Sequence, residues 1–363
     1  MAFLPNTALY VTENVDFEIL PEQEIPVPSD DELLIETLYS GANPADVKHA
    51  TLLGIYPSVL GYDFCGKVIK TPSGSSFRLG EVVAGYTPTG VGRPAKYGAH
   101  QQYLACPEDM AFSVPANLPQ HHAACLSVVV MTACDALYNI LKYPLPGDLR
   151  AAKQSQAQPL LIWGASSSVG LSALQLARAS GVHPILVTAS PKNHPLLLRL
   201  GATRCFDYRS LTVISEIATA LQDGQWGNLR CGFDAVGSLT DPSSAELLAR
   251  CVTGDDNDKD DAQLVSVVVQ RDPRFRMPFA TTNSDVTIHV AGAPGLITIP
   301  ARKDDAKRAW EALQWAVANY GTGFELPVVD VFNGTAEEAL ERLRALGGAG
   351  QGLGKLAIQH PLR

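Results

Sequence analysis

Two glycines, Gly164 and Gly170, flank a serine-rich turn between an apolar run and a helix-like pattern. Residues 159–163 read as a buried strand, and residues 168–180 repeat apolar side chains at helical spacing. A glycine after a strand permits a tight turn, and the N-terminus of the following helix presents N–H groups that can bind a pyrophosphate. Ser167 stands where a middle glycine is usual. We interpret the turn as a dinucleotide phosphate site, and the alternative is a purely structural turn.

The end of the next apolar run indicates which dinucleotide would bind. An NADH site needs an acidic residue roughly 20 residues past the glycines, where it binds the ribose 2′-hydroxyl. No Asp or Glu occurs from Gly164 through Phe206, and the run at 184–188 leads instead into Ser190-Pro-Lys-Asn193. Hydroxyl, ammonium and amide donors suit a 2′-phosphate. The sequence therefore predicts NADPH, unless this segment simply starts a helix.

Short strands alternate with helices around the turn, which places it in a predicted parallel sheet. The apolar runs lie at residues 159–163, 184–188, 203–206, 232–236 and 264–269. Strands that helices cover on both faces are apolar throughout, as these are. We therefore predict an α/β fold with a Rossmann-type doubly wound sheet, in a domain that spans residues 123–274.

The chain on either side of this domain has a different pattern. The first 115 residues read as short strands that proline and glycine interrupt at close spacing, which is typical of a β-rich, barrel-like unit. After about residue 275 the pattern is mixed and includes an amphipathic helix at 304–319. We expect residues 1–122 and 275–363 to form one second domain.

Composition narrows the class of protein further. The 363 residues are 46% apolar, carry a formal charge of −9 and contain no Lys/Arg-rich run, which argues against nucleic-acid binding. No apolar stretch approaches the roughly 20 residues of a membrane helix, and the N-terminus lacks a signal-peptide pattern. We expect a cytoplasmic protein with no membrane partner. A Pro/Gln/Ala-rich connector at 142–158 and an acidic loop at 254–261 join predicted elements.

The cysteines and histidines of this chain lack the sequence spacing that is typical of metal ligands. None of the seven cysteines forms a Cys-x-x-Cys pair, and none of the eight histidines falls in a ligand-spaced cluster. A disulfide framework and a structural zinc site are therefore not expected. We predict no bound metal.

Short motifs along the whole chain carry a resemblance to a known superfamily. They lie at residues 41–46, 60–66, 79–85, 97–103, 131–133, 200–203 and 354–356. Together with the phosphate turn, their order and spacing resemble the medium-chain dehydrogenase/reductase superfamily. The resemblance implies a GroES-like β-rich catalytic domain beside the Rossmann-type domain.

Two of these motifs lack the residues with which zinc-dependent members bind their metal. Those members have a ligating cysteine before the Asp of the first motif and Gly-His-Glu in the second, but this chain has Pro-Ala-Asp at 44–46 and Gly-Tyr-Asp at 61–63. The chain is therefore similar to the zinc-free quinone-reductase and enoyl-reductase branch. It most resembles the trans-acting enoyl reductases that serve fungal polyketide synthases, on the residues at 43–48, 188–193 and 206–209.

This resemblance implies an NADPH-dependent enoyl reductase of secondary metabolism. Its substrate would be a polyketide enoyl thioester held on the acyl carrier protein of a partner polyketide synthase, and the enzyme would be a monomer. The alternatives are a quinone or 2-alkenal reductase that acts on small diffusible substrates, or an NADPH-binding protein without turnover. The resemblance places cofactor contacts at Ala45, Asp46, Val47, Lys48, Ser167, Ser168, Val169, Gly170, Ser190, Pro191, Lys192, Asn193, Tyr208, Leu264, Val265, Lys355 and Leu356.

Lys48 and Thr132 are the predicted catalytic residues. Reduction of an enoyl thioester needs hydride at Cβ, stabilisation of the enolate oxygen and a proton at Cα. Either side chain could polarise the carbonyl or deliver the proton, although a solvent proton would also serve. Alternatively, Lys48 contacts a cofactor phosphate or ribose, and Thr132 bonds its own helix backbone. Asp46 is expected to orient Lys48 or to cap a local helix, and Tyr208 to bind the adenine end or to be a surface aromatic.

Overall fold

A computed structural model gives the fold for residues 4–148, 158–253, 261–349 and 352–363. Most of the predicted connector at 142–158 and of the acidic loop at 254–261 lies outside these residues. The chain divides into two compact units. The first comprises Met1–Val128, Thr281–Arg302 and Leu326–Arg363, and the second comprises Val129–Ala280 and Lys303–Glu325.

These units differ from the predicted domains mainly in one segment. The prediction assigned all of 275–363 to the β-rich domain, whereas Lys303–Glu325 packs with the second unit. The reason lies in the helix Lys303–Ala318, whose buried side chains include Ala309, Leu313 and Ala316 on one face. Asn139 of the second unit donates to the carbonyl of Asp305 in this helix at 3.0 Å.

Most neighbouring strands of the first unit pair in the antiparallel direction. All strands of the protein are numbered in chain order. Those of the first unit are β1 (Asn6–Val11), β2 (Phe17–Gln23), β3 (Glu32–Ala42), β4 (Ser58–Val59), β5 (Asp63–Lys70), β6 (Val82–Tyr86), β7 (Tyr103–Pro107), β8 (Ala111–Ser113), β15 (Val286–Ile288), β16 (Ile297–Ile299), β17 (Val329–Phe332) and β18 (Lys355–Gln359). The largest sheet has the order β17-β18-β3-β5-β6-β8, with β7 also paired to β3, and β2-β1-β4 and β15-β16 form smaller sheets. This unit is the predicted β-rich domain.

The long strand β3 positions the first candidate segment. Its last residue, Ala42, pairs with Leu356 at the start of β18, and Gly41 pairs with Asp63 at the start of β5. The turn at Asn43-Pro44 then leads directly into the helix α1 (Ala45–Leu53). The helix therefore begins where the ends of three hydrogen-bonded strands meet.

The second unit contains a six-stranded sheet whose paired strands are all parallel. Its strands are β9 (Leu160–Trp163), β10 (Ile185–Thr188), β11 (Arg204–Phe206), β12 (Cys231–Asp234), β13 (Gln263–Ser266) and β14 (Phe275–Arg276). The spatial order β11-β10-β9-β12-β13-β14 is the 3-2-1-4-5-6 order of dinucleotide-binding sheets. Every residue of β9, β10 and β12 is buried, as helices on both faces require. The predicted fold class is confirmed.

Helices complete both units. They are α1, α2 (Gln120–Ala123), α3 (Ser127–Cys134), α4 (Ser168–Ala179), α5 (His194–Leu200), α6 (Val213–Asp223), α7 (Ser244–Arg250), α8 (Lys303–Ala318) and α9 (Ala336–Ala349), with a π-helical turn at Asp135–Ile140. Among the described residues, no helix has both the length and the apolar character needed to cross a membrane. The core of the first unit lies between α9 and strands β1 and β18, and includes Leu9, Leu343 and Ile358.

Candidate functional site

The turn between β9 and α4 has the geometry that a phosphate-binding turn needs. Gly164 has φ +80°, a conformation that side chains other than glycine rarely adopt, and a Cβ on it would collide with Val236. A Cβ on Gly170 would lie 2.6 Å from the carbonyl oxygen of Gly164. Both glycines are therefore required, one for the turn and one for the close approach of helix to strand.

Ser167, which replaces the usual middle glycine, caps the helix. Its Oγ accepts a hydrogen bond from the N–H of Gly170 at 3.0 Å and donates to the carbonyl of Ala235 at 2.9 Å. The serine thus satisfies one N-terminal amide of α4 and joins the turn to the segment after β12. This helix N-terminus at the carboxyl end of the first strand fits a pyrophosphate.

The ends of β10 and β11 carry the side chains predicted to select NADPH. After β10, Ser190 is partly buried, Lys192 is exposed, and the intervening backbone forms a short 3₁₀ turn before α5. The segment therefore does start a helix, as the alternative interpretation held, and it also leaves the ammonium accessible. After β11, Tyr208 is 43% exposed, and the Arg209 guanidinium lies 5.2 Å from its ring centroid. The arrangement offers cations and hydroxyls. The carboxylate of Asp207, which follows β11, is partly buried and lies 3.5 Å from the Arg209 guanidinium.

Asp234, which sequence reasoning missed, shapes the other side of the phosphate turn. Its carboxylate accepts the N–H groups of Val236 and Gly237 at 3.2 and 3.1 Å and the Ser266 hydroxyl at 2.9 Å. Burial raises the pKa of Asp234, and these hydrogen bonds oppose the rise. The signal was available, because an aspartate ends an apolar strand three residues before a glycine. Asp234 therefore fixes the segment to which Ser167 bonds.

The predicted contacts at Leu264 and Val265 lie inside the strand β13, before its carboxyl end. Both side chains are buried in the core, at 1% and 0% exposure, in the interior of β13. Ligands of such sheets bind outside the carboxyl ends of the strands, and β13 ends at Ser266. A cofactor contact of these two residues stays a prediction, and it would involve their backbone atoms because both side chains are buried in the core. Leu356, 3% exposed within β18, is likewise a core residue, and its contact with a cofactor stays a prediction.

In the first unit, Lys48 and Asp46 of α1 have opposite environments. Lys48 is exposed, whereas Asp46 is buried. The Asp46 carboxylate accepts the N–H of Asn43 at 2.8 Å and bonds His100 Nε2 at 3.0 Å. Asp46 therefore does not orient Lys48. It holds the turn that precedes the helix, which is close to the capping role weighed from the sequence.

Asn43 is held by charged side chains from two further elements. The Lys355 ammonium donates to Asn43 Oδ1 at 2.6 Å and to the carbonyl of Ala42 at 2.8 Å. Asn43 Nδ2 in turn donates to Asp63 at 2.9 Å, and Asp63 also accepts the N–H of Val128 at 2.7 Å. Burial raises the pKa of Asp63 to about 6, although the nearby Lys355 opposes this. The Lys355 ammonium therefore serves this buried cluster, and its contact with a cofactor stays a prediction.

Tyr62, at the place of the imidazole in zinc-dependent proteins, belongs to a second polar group. Its hydroxyl lies 2.9 Å from His49 Nδ1, and the Arg93 guanidinium lies 4.4 Å from its ring centroid. Burial lowers the pKa of His49 to about 4, so the imidazole is neutral at pH 7. Within the described part of the chain, no three His, Cys, Asp or Glu side chains are grouped so that they could hold a metal ion.

The remaining predicted residues lie at the starts of helices or within one. Thr132 is a partly buried residue inside α3, and Ala45 and Val47 lie in the first turn of α1. Ala45 to Lys48 belong to the first unit, whereas the phosphate turn, the segment after β10 and Thr132 belong to the second.

Sequence comparisons agree with this architecture. Residues 29–116 match the family model of the alcohol dehydrogenase GroES-like domain. The chain is 35% identical to the trans-enoyl reductase himH of Aspergillus japonicus over 224 residues, which are 60% of this chain and 63% of the relative. It is 30% identical to the trans-enoyl reductase TOXD of Cochliobolus carbonum, over 60% of this chain and 71% of the relative. The chain thus spans less than two thirds of the length of himH.

Solved structures share the fold across almost the whole chain. An alcohol dehydrogenase superfamily protein from Novosphingobium aromaticivorans superposes with a TM-score of 0.68 at 23% identity, and the match covers 98% of this chain and 100% of that one. The CurK enoyl reductase has a TM-score of 0.68 at 19% identity, over 98% of this chain and 99% of that one. With the sheet order and the glycine turn, these findings identify the chain as a member of the medium-chain dehydrogenase/reductase superfamily that is related to the fungal trans-enoyl reductases.

Proposed function

We propose that this protein is an NADPH-dependent enoyl reductase that acts in trans on a carrier-bound polyketide chain. The single observation that carries the proposal is the similarity to trans-enoyl reductases named himH and TOXD, at 35% and 30% identity. The phosphate turn and the acid-free segment after β10 support the choice of cofactor. The protein would act as a monomer in secondary metabolism.

The second unit would hold the cofactor. The α4 N-terminus, from Ser167 to Gly170, would receive the pyrophosphate because its amides and helix dipole favour an anion. The exposed Lys192 ammonium and the Ser190 hydroxyl would receive the 2′-phosphate, since charge-assisted hydrogen bonds from such donors are strong. Arg209 beside Tyr208 adds a further cation at the end of the neighbouring strand, where it is paired with Asp207 at 3.5 Å.

The first unit would act on the thioester through Lys48. When bound, NADPH supplies the hydride for Cβ of the enoyl thioester. The reduction then needs a positive or hydrogen-bonding group at the developing enolate oxygen and a proton for Cα. Lys48 is exposed and lies one helical turn from the buried turn that fixes the start of α1. Its ammonium would stabilise the enolate. Thr132, the other predicted donor, belongs to the second unit.

A substrate series tests this proposal against its alternatives. Purified protein is assayed for NADPH oxidation with acyl carrier protein thioesters of increasing chain length, with crotonyl-type small thioesters and with a quinone. We expect the carrier-bound thioesters to be reduced fastest and NADH to support a much lower rate. Faster turnover of the quinone would favour a reductase of diffusible substrates. Binding of NADPH without turnover of any of them would favour a non-catalytic protein.

A further inference from the structure

A continuous series of buried hydrogen bonds joins the end of β18 to the start of α1. His360 Nε2 lies 2.8 Å from Ser40 Oγ, which lies 2.8 Å from His100 Nδ1. On its other side, His100 Nε2 lies 3.0 Å from the carboxylate of Asp46. The same carboxylate oxygen accepts the N–H of Asn43. The series therefore ends on the turn that begins α1.

The hydrogen-bonding capacity of each group fixes the direction of this series. With Asp46 as a carboxylate and a neutral His100 ring, His100 donates from Nε2 and accepts at Nδ1. Ser40 then donates to His100 and accepts from His360 Nε2. Burial lowers the pKa of His360 to about 3, so this ring is neutral and its Nδ1 carries a lone pair. For these protonation states, one arrangement of protons satisfies every internal bond.

Neither end of the series reaches solvent. Asp46 Oδ1 and His360 Nδ1 are both buried and have no hydrogen-bond partner among the described residues. The side chains of His100 and Asp46 are both completely buried. A path for protons to the surface would need an accessible end, so this geometry argues against proton conduction. It is suited to hold one carboxylate in one orientation, because Asp46 Oδ2 is bonded to both His100 and Asn43.

We propose that His100 is a positioning residue for the reduction. His100 holds the Asp46 carboxylate in place, and that carboxylate holds the N–H of Asn43. These bonds set the direction in which α1 leaves β3, and the direction of α1 sets the position of Lys48. The His100 imidazole is tightly packed against Gly61, because a Cβ on Gly61 would lie 2.7 Å from His100 Cδ2. The inference rests on the proposed function of Lys48.

A pair of substitutions at His100 tests this role. His100→Leu removes the donor to Asp46, whereas His100→Gln keeps an N–H that can reach the same oxygen. We expect His100→Leu to lower kcat at least tenfold while KM for NADPH changes less than threefold, and His100→Gln to recover kcat to within threefold of wild type. His183→Leu, an exposed histidine in the second unit, is the matched control and should change neither constant.

Amide hydrogen exchange gives a second measurement that does not depend on turnover. In His100→Leu, the amides from Ala45 to His49 should exchange at least tenfold faster, while those of α4 keep their wild-type rates. Unchanged kcat and unchanged exchange in folded His100→Leu would overturn the inference. If His100→Leu does not fold, Asp46→Asn replaces it, with the same expected directions. If wild-type protein reduces no thioester, the proposed function fails, and the exchange rates alone decide whether His100 positions α1.

Discussion

The buried ammonium of Lys355 provides the sharpest test of how the first unit is built. Lys355→Met keeps most of the side-chain volume and removes the charge. Asn43 Oδ1 and the carbonyl of Ala42 then lose their donor, and Asp63 loses the cation that opposes the rise in its pKa. The substitution should therefore destabilise the protein by an amount that depends on pH.

The magnitude follows from the two effects. Buried acceptors left without a donor cost about 1–3 kcal/mol each, and local repacking reduces this, so we expect a loss of about 2 kcal/mol at every pH. In wild type, the raised pKa of Asp63, about 6 against 3.8, makes the folded state less stable as pH rises from about 4 to about 6. Without Lys355 this pKa rises further. The extra loss is therefore small at pH 5, where Asp63 is largely protonated in both proteins, and it grows towards pH 8, because only the wild-type carboxylate has the Lys355 charge beside it.

Urea unfolding followed by circular dichroism at pH 5 and pH 8 measures both effects. We expect a loss in the free energy of unfolding of about 2 kcal/mol at pH 5 and a larger loss at pH 8. The neutral His49 and His360 also make stability depend on pH, with the opposite sign, but they are present in both proteins and cancel in the difference. Lys67→Met, on an exposed position of β5, is the control and should change stability by under about 0.5 kcal/mol. Equal losses at the two pH values would refute the electrostatic reasoning.

Three further substitutions address the proposed chemistry. Gly170→Ala should weaken NADPH binding at least tenfold in a fluorescence titration, because its Cβ would press on the phosphate turn. Gly295→Ala is the control and should leave the affinity unchanged, because Gly295 has open space around it. Equal affinities of the two variants would contradict the role of the turn. Lys192→Asp should lower the ratio of NADPH to NADH affinity at least tenfold, and an unchanged ratio would remove Lys192 from the 2′-phosphate site. Lys48→Ala should lower kcat/KM at least tenfold, about 1.4 kcal/mol of transition-state stabilisation, and unchanged kinetics would exclude Lys48 from the mechanism.

The second unit was largely predictable from sequence because its signals are local. One continuous stretch contains a fully buried strand, two glycines and a helical repeat. The turn at Gly164 could therefore be placed from the sequence alone. The role of Ser167 could not, because one of its two partners is the carbonyl of Ala235, 68 residues away. The strand end at Ser266 was also missed, since an apolar run does not show where pairing stops.

The buried polar cluster of the first unit depends on contacts far apart in sequence. Ser40 and His360 are 320 residues apart, and Asn43 and Lys355 are 312 apart. A lysine beside a leucine in the last strand gives no sign that its ammonium turns inward. An aspartate two residues before Lys48 suggested an ion pair, but positions i and i+2 of a helix do not face each other. The structure instead directs Asp46 towards His100.

Transfer of isotope from the cofactor to the substrate tests the central claim most directly. The protein is incubated with NADPH deuterated at the nicotinamide C4 and with an enoyl thioester on an acyl carrier protein, and the product is analysed by mass spectrometry. We predict one deuterium at Cβ and one solvent-derived hydrogen at Cα in the saturated thioester. Recovery of the unsaturated thioester without deuterium, from protein that demonstrably binds NADPH, would contradict the proposed enoyl reductase activity.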